Sequence, residues 1–203
     1  MTRTTRTARH PARTPAHTAA APPTPESSTM TPAQKARYGT AIHESAHAIT
    51  ATVLGHTVRK ITLGTVDPEH PHRLGTCVYA TRFDDQDRAA ICYAGPYAQA
   101  FYLHGGPPTP KAIRSALDGT EDYAAMTAAG DTRPAEVPRL VVSCWSSITM
   151  LANRVYMRGS ATQADVDAAL QLPRDDLDGR HHALAVIRSG SVPGSFTIVA
   201  PLP

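Results

Sequence analysis

Between Ala41 and Ala51 the chain sets two histidines and a glutamate inside an apolar run. Ala41, Ile42, Ala46, Ala48, Ile49 and Ala51 flank His43, Glu44 and His47. Upstream, Thr31-Pro32 reads as a helix start, since Thr is a good N-cap and Pro is tolerated in the first helical position. A helix is expected over 32–54, weakened locally by Gly39 and stopped by Gly55 as its C′ residue. So many apolar neighbours imply that this helix is largely buried. A buried titratable group needs a partner, so the fold has to provide one for this set.

His43 and His47 are four residues apart, which puts both imidazoles on one helix face. That separation suits two nitrogens bound to one Zn²⁺ at about 2.0–2.1 Å each. Glu44 stands beside such an ion without having to bind it, where it can accept a proton from water acidified by the metal. The pattern H-E-x-x-H thus offers His43 and His47 as ligands and Glu44 as catalytic general base. Ten histidines and five glutamates placed at random would give this spacing in about 1% of chains of this length. The competing reading is a surface helix with two solvated histidines, and the apolar flanks argue against it. A catalytic zinc site needs a third protein ligand. His70, His72, His104, Asp118, Glu121 and Asp122 all qualify by type, and periodicity does not choose among them. His70 and His72 fall in a polar loop, and Glu121 and Asp122 also suit a helix dipole.

A length of 203 residues fits one domain with tails. Aromatics are only 5%, so the core is expected to be built from Ala, Val, Leu and Ile. The net charge of +3 is mild and partly due to Arg3, Arg6, Arg9 and Arg13, so no nucleic-acid partner is expected. Cys77, Cys92 and Cys144 are widely spaced with no C-x-x-C pair, which fits reduced thiols and a cytoplasmic location. No apolar run approaches the roughly 20 residues of a membrane span. Residues 1–30, rich in Thr, Pro, Ala and Arg, read as a disordered basic tail.

Further along, Val58–Leu63 and Thr76–Thr81 are strand candidates able to pair antiparallel, separated by a loop over 70–74. Helices are expected from Asp84 to the Gly105-Gly106 pair, over 110–117, from Thr120 to Ala129, over 137–157 as the longest apolar helix, and in a short run with Val166 and Leu170. The fold class is mainly α with a small antiparallel β element. The domain is expected to span 31–172, with 173–203 as a C-terminal extension in which His181-His182 read as surface residues.

Ala41-Ile42-His43-Glu44-Ser45-Ala46-His47-Ala48 resembles the A-x-H-E-A-G-H-A segment of the FtsH-type zinc protease family, with Ala46 in place of the usual Gly. Val58–Leu63 is similar to the family's K-V-T-I strand, Leu74-Gly75 to its L-G-Y-T element, and Ala94-Gly95-Pro96-Tyr97-Ala98-Gln99-Ala100 to its A-G-R-x-A-E-E helix. Gln99 and Ala100 replace two acids there, which puts any ion pair at that point in doubt. Gly119-Thr120-Glu121-Asp122 is a shortened match to the segment whose Asp is the family's third zinc ligand, and Asp122 falls on that Asp. The likeness covers roughly residues 32–170.

The resemblance implies a helical peptidase domain with Zn²⁺ on His43, His47 and Asp122 and with Glu44 as base. It also implies an edge strand at 58–63 that binds substrate backbone through Ile61 and Thr62. The three lysines, Lys35, Lys60 and Lys111, never follow a Gly, so the chain has no G-K-[ST] phosphate loop. The expected activity is ATP-independent cleavage of flexible or unfolded protein segments, with a separate unfoldase as a candidate partner. Two alternatives stand beside it: a regulatory H-E-x-x-H protease of another type that cleaves one partner, and an inert zinc-containing binding module.

Overall fold

The structure, a computed structural model, describes residues 30–64, 74–80 and 82–196. The expectations for the N-terminal tail and for the loop with His70, Pro71 and His72 lie outside the described residues. Among the described residues the chain forms eight helices and three short strands, mainly α with a small antiparallel sheet. No helix among them is long and apolar enough to cross a membrane.

Helix α1 (Pro32–Val53) is the axis of the molecule. It starts in a capping box: Thr31 Oγ1 accepts from Gln34 N–H at 3.2 Å, and Gln34 Oε1 accepts from Thr31 N–H at 2.8 Å. From Gly39 onwards every residue but His43 is buried, because neighbours surround it. The sheet covers one side, α2 (Asp85–His104) and α6 (Trp145–Arg158) cover others, and α5 (Val137–Ser143), α7 (Gln163–Ala169) and α8 (Leu177–Arg188) complete the shell. α1 and α2 pack against each other, and both helices are rich in buried alanine, including Ala41, Ala48, Ala90, Ala94 and Ala98. The core is the Ala, Val, Ile and Leu assembly that the scarcity of aromatics requires, supplemented by Met126, Cys144, Tyr93 and Tyr97.

Strands β1 (Val58–Leu63) and β2 (Gly75–Tyr79) pair antiparallel, from Val58 opposite Tyr79 to Leu63 opposite Gly75. A two-residue strand, β3 (Ser160–Ala161), pairs with the other side of β1, placing Ala161 opposite Ile61 and Ser160 opposite Thr62. The sheet order is therefore β2-β1-β3. This corrects the expectation of an edge strand at 58–63, on which a substrate-binding role for Ile61 and Thr62 rested. β1 is the central strand, both its edges are paired at these residues, and the Ile61 side chain is fully buried. Two residues after a helix carry too little periodicity to be read as a strand in advance, and β3 is such a case.

Two further corrections concern boundaries. The single helix expected over 137–157 is interrupted at Cys144, where ψ rises to 9°. Ser143 Oγ donates to the Leu140 carbonyl at 3.1 Å, and Thr149 Oγ1 donates back to Trp145 and Ser146, contacts that bend helices. The longest helix among the described residues is α1, expected over 32–54. The segment after 173 also belongs to the domain as far as α8. Ala183, Leu184 and Ile187 are buried in the common core, and the Arg188 guanidinium donates twice to the Val53 carbonyl at the end of α1, at 2.7 and 3.2 Å. His181 and His182 are exposed on the opposite face. The remaining elements, α3 (Pro110–Leu117) and α4 (Glu121–Ala128), lie where the sequence places them and pack on α2.

If α8 is integral, Ile187→Ala costs about 2–5 kcal/mol of unfolding free energy. Urea titration followed by circular dichroism measures this, and a loss below about 0.5 kcal/mol, the range of surface substitutions, would return α8 to the status of an appendage.

Candidate metal centre

The helical spacing of His43 and His47 directs both imidazoles from α1 to the same point. Asp122 reaches that point from the first turn of α4, which Thr120 caps by accepting from Tyr123 N–H at 3.2 Å. Asp122 Oδ2 lies 3.0 Å from His43 Nε2 and 3.4 Å from His47 Nε2, and the two Nε2 atoms are 2.9 Å apart. Among the described residues this is the one group of three His, Cys, Asp or Glu donors gathered closely enough to share an ion. Of the other candidate third ligands, Asp118 and Glu121 line the same cavity without joining the group. His104 is exposed at the far end of α2, and His70 and His72 lie outside the described residues.

The hydrogen bonds behind the histidines fix their tautomers. His47 Nδ1 lies 2.7 Å from the Ile91 carbonyl oxygen, which only accepts, so Nδ1 carries the proton. His43 Nδ1 donates in the same way to Gln99 Oε1 at 3.1 Å. Each Nε2 is then left with its lone pair directed at the other and at Asp122. Three electron-rich atoms converging in this way repel one another unless a cation lies among them. A proton can serve one pair. Burial alone would lower the His47 pKa, but Asp122 and Glu44 beside it raise it to about 9. For Asp122, burial pushes upward and the two histidines overrule it, holding the carboxyl far below its ordinary range. A metal ion would serve all three atoms. Donors bound tetrahedrally at about 2.0–2.1 Å stand roughly 3.3–3.4 Å apart, close to the spacings observed. The N₂O donor set suits zinc, and imidazole with carboxylate also serves other first-row ions.

Glu44 is 7% exposed, and His43, His47 and Asp122 all act on its charge. Burial is the largest influence and raises its pKa. A cavity of about 670 Å³ opens over the four residues, walled by Gly75, Thr76 and Cys77 of β2, by Tyr79 and Phe83, and by Ile91 and Cys92 of α2. Ile61 and Thr62 do not line it. Ser45 and Ala46, between the histidines, are fully buried away from it in the core.

Two glycines are required where backbone meets this set. A Cβ on Gly75 would stand 2.6 Å from Glu44 Cγ and Oε1, and one on Gly95 would stand 2.4 Å from His47 Nε2 and 2.9 Å from His43 Cδ2. Sequence reading missed Gly75, Gly95, Ile91 and Gln99 as parts of the site. Gln99 was visible as an exception among the expected acids, whereas a backbone carbonyl such as that of Ile91 leaves no mark in residue types. The three cysteines are free, Cys77 and Cys92 on the cavity wall and Cys144 in the core.

Gly95→Ala forces a methyl group into both imidazoles. If the set holds zinc, bound zinc per chain, measured by atomic emission after dialysis, is expected to correspond to a loss of affinity of at least about tenfold. Gly39→Ala, whose new methyl meets only Gln99 and Tyr102 at 3.7–3.9 Å, should retain wild-type zinc and shows that a helix glycine as such is not the cause. Neither the known protein families nor the curated proteins contain a match to this chain, so the chemistry of the site rests on its own geometry.

Proposed function

We propose that the chain is a zinc-dependent endopeptidase of the FtsH type that hydrolyses peptide bonds in flexible or unfolded segments. The observation that carries the proposal is the buried Glu44 carboxylate held beside a three-donor His-His-Asp set at the wall of an open cavity. Zn²⁺ held by His43, His47 and Asp122 would supply Lewis-acid polarisation of a peptide carbonyl and acidification of water. Glu44 takes the proton of the attacking water on its carboxylate and passes it to the leaving amine nitrogen. Burial suits both halves of that exchange, because a raised carboxyl pKa brings proton affinity closer to neutral pH.

Substrate backbone is assigned to β2 in place of β1. Among the described residues no strand pairs with the outer edge of β2, and its residues wall the cavity next to Glu44. An extended peptide laid along this edge by strand addition would pass the base. Strand addition requires an extended segment, which flexible or unfolded polypeptide provides without help. A separate unfoldase would widen the range of substrates to folded proteins.

The reading of the chain as an inert zinc module leaves Glu44 unexplained, because a structural site has no use for a buried base next to its ligands. A regulatory protease with one partner would use the same four residues and differ in what the cavity walls select.

Glu44→Gln should keep about one zinc per chain and lower cleavage of an unfolded casein by roughly 10²–10⁴-fold. Asp122→Ala should lose zinc and cleavage together. Wild type and Glu44→Gln equally inert across a broad peptide library, both with full zinc, would favour the module.

A further inference from the structure

Helices α1 and α2 meet turn by turn around the triad. His47 reaches the Ile91 carbonyl, Gly95 faces both imidazoles, and one turn further His43 meets Gln99, with Gly39 beside it. Gln99 also lines the cavity. A metal on His43 Nε2 leaves the proton on Nδ1, and of the two ends of an amide only the oxygen can accept it. Oε1 is accordingly the atom at 3.1 Å, which fixes the plane of the group. Nε2, on the same carbon, is turned away from His43, makes no hydrogen bond among the described residues and stays open to solvent.

Other polar groups on the cavity wall are already engaged. Thr40, Thr76 and Thr120 line it, and their hydroxyls donate to the carbonyls of Ala36, Gly75 and Leu117 at 3.4, 2.8 and 2.7 Å. Asp118 and Asp122 bring carboxylates, which accept only when ionised. The amide N–H of Gln99 is the donor left for a ligand.

We propose that Gln99 is a substrate-binding residue: while Oε1 holds His43, Nε2 donates to a backbone carbonyl of the peptide lying across the triad. This rests on the peptidase reading proposed above. Flexible or unfolded segments carry such carbonyls unpaired, whereas folded proteins have nearly all of theirs in use. A contact to backbone is also indifferent to side-chain type, so it favours unfolded chain as a class over any one sequence. The residue type matters here. A carboxylate at this position, as in the resembled helix, would serve His43 equally but would repel a carbonyl oxygen.

The test compares the full chain with Gln99→Glu, which keeps an acceptor for His43 and removes the donor. Zn²⁺ affinity, measured by chelator competition, should stay within about threefold because His43 keeps its partner. The donor is read from KM for a quenched fluorogenic peptide taken from casein. It is also read from the affinity of that peptide, by fluorescence anisotropy, for zinc-loaded Glu44→Gln with and without the second substitution. Both should weaken about three- to tenfold, the scale of one hydrogen bond, with a smaller effect on kcat. Added charge alone could weaken binding, so the peptide is also made with one backbone carbonyl at a time replaced by a thiocarbonyl, a poorer acceptor. At one position the replacement should weaken binding to the chain with Gln99 and leave binding to Gln99→Glu unaffected. If Gln99→Glu fails to fold, Gln99→Met takes its place with zinc held at saturation. Unchanged peptide affinity in the variant, or no carbonyl whose replacement is felt through Gln99, would overturn the proposal alone. A wild-type chain that binds zinc and leaves casein uncut would overturn the peptidase reading beneath it.

Discussion

The approach of α1 to α2 is the contact on which the rest of the site depends. Glycines at the contact let the helices come close: Gly39 of α1 faces Gln99 and Tyr102, and at Gly95 no side chain at all separates α2 from the imidazoles. Only at such a distance does a backbone carbonyl, that of Ile91, come within 2.7 Å of a side-chain nitrogen of the neighbouring helix. Larger residues at this contact would bury more apolar surface each, but would move α2 out of reach of His47. Small-residue packing therefore exchanges some hydrophobic area per residue for dense contact and for a fixed orientation of two rings. Pro96 follows directly in α2, which continues through it to His104 although the proline cannot donate to the Cys92 carbonyl one turn back. The tolerance of a proline there is consistent with a helix held by its packing more than by its own hydrogen bonds.

What was legible in the sequence was local. The His43-Glu44-His47 spacing, the Thr31 and Thr120 caps, and the Gly55 and Gly105 stops are written within a turn or two of each other, and all recur in the structure. Asp122 was one of six candidates on residue type alone; the likeness of Gly119–Asp122 to a known segment singled it out. No local rule selects a residue 79 positions away from His43. The central position of β1 was illegible because its second neighbour is only two residues long. Helix α8 was passed over because Asp178, Arg180, His181 and His182 dominate its composition. Its core contacts come from a narrow stripe, Ala183, Leu184 and Ile187, with one arginine tied to the end of α1.

The electrostatics explain why these parts must act together. Glu44 and Asp122 are two carboxylates in one poorly solvated space, and each raises the cost of charging the other. The histidines relieve this unequally: their direct contacts with Asp122 reverse the effect of burial there, while at Glu44 burial prevails. One carboxylate is thereby fixed as an anion and the other is left with raised proton affinity, although both come from ordinary acidic residues within the same cavity. Environment has divided the roles, and the division follows from which of the two lies in line with the imidazoles.

The division also has a mechanical side. The proposed base and two candidate donors come from α1, the third candidate donor from α4, the restraint on the rings from α2, and the wall over Glu44 from β2. α4 is too short to be stable alone, and its hold on the molecule is through α2. An ion shared by His43, His47 and Asp122 would join α4 to the central helix directly, and any ligand of the folded state alone stabilises that state by mass action. Glu44 would contribute no bond to that tie, because its position relative to His43 and His47 is already set by its place next to His43 on a buried helix. A proposed base so placed keeps its alignment with the two histidines whether or not α4 moves, and the three-donor set keeps its geometry only if α4 does not.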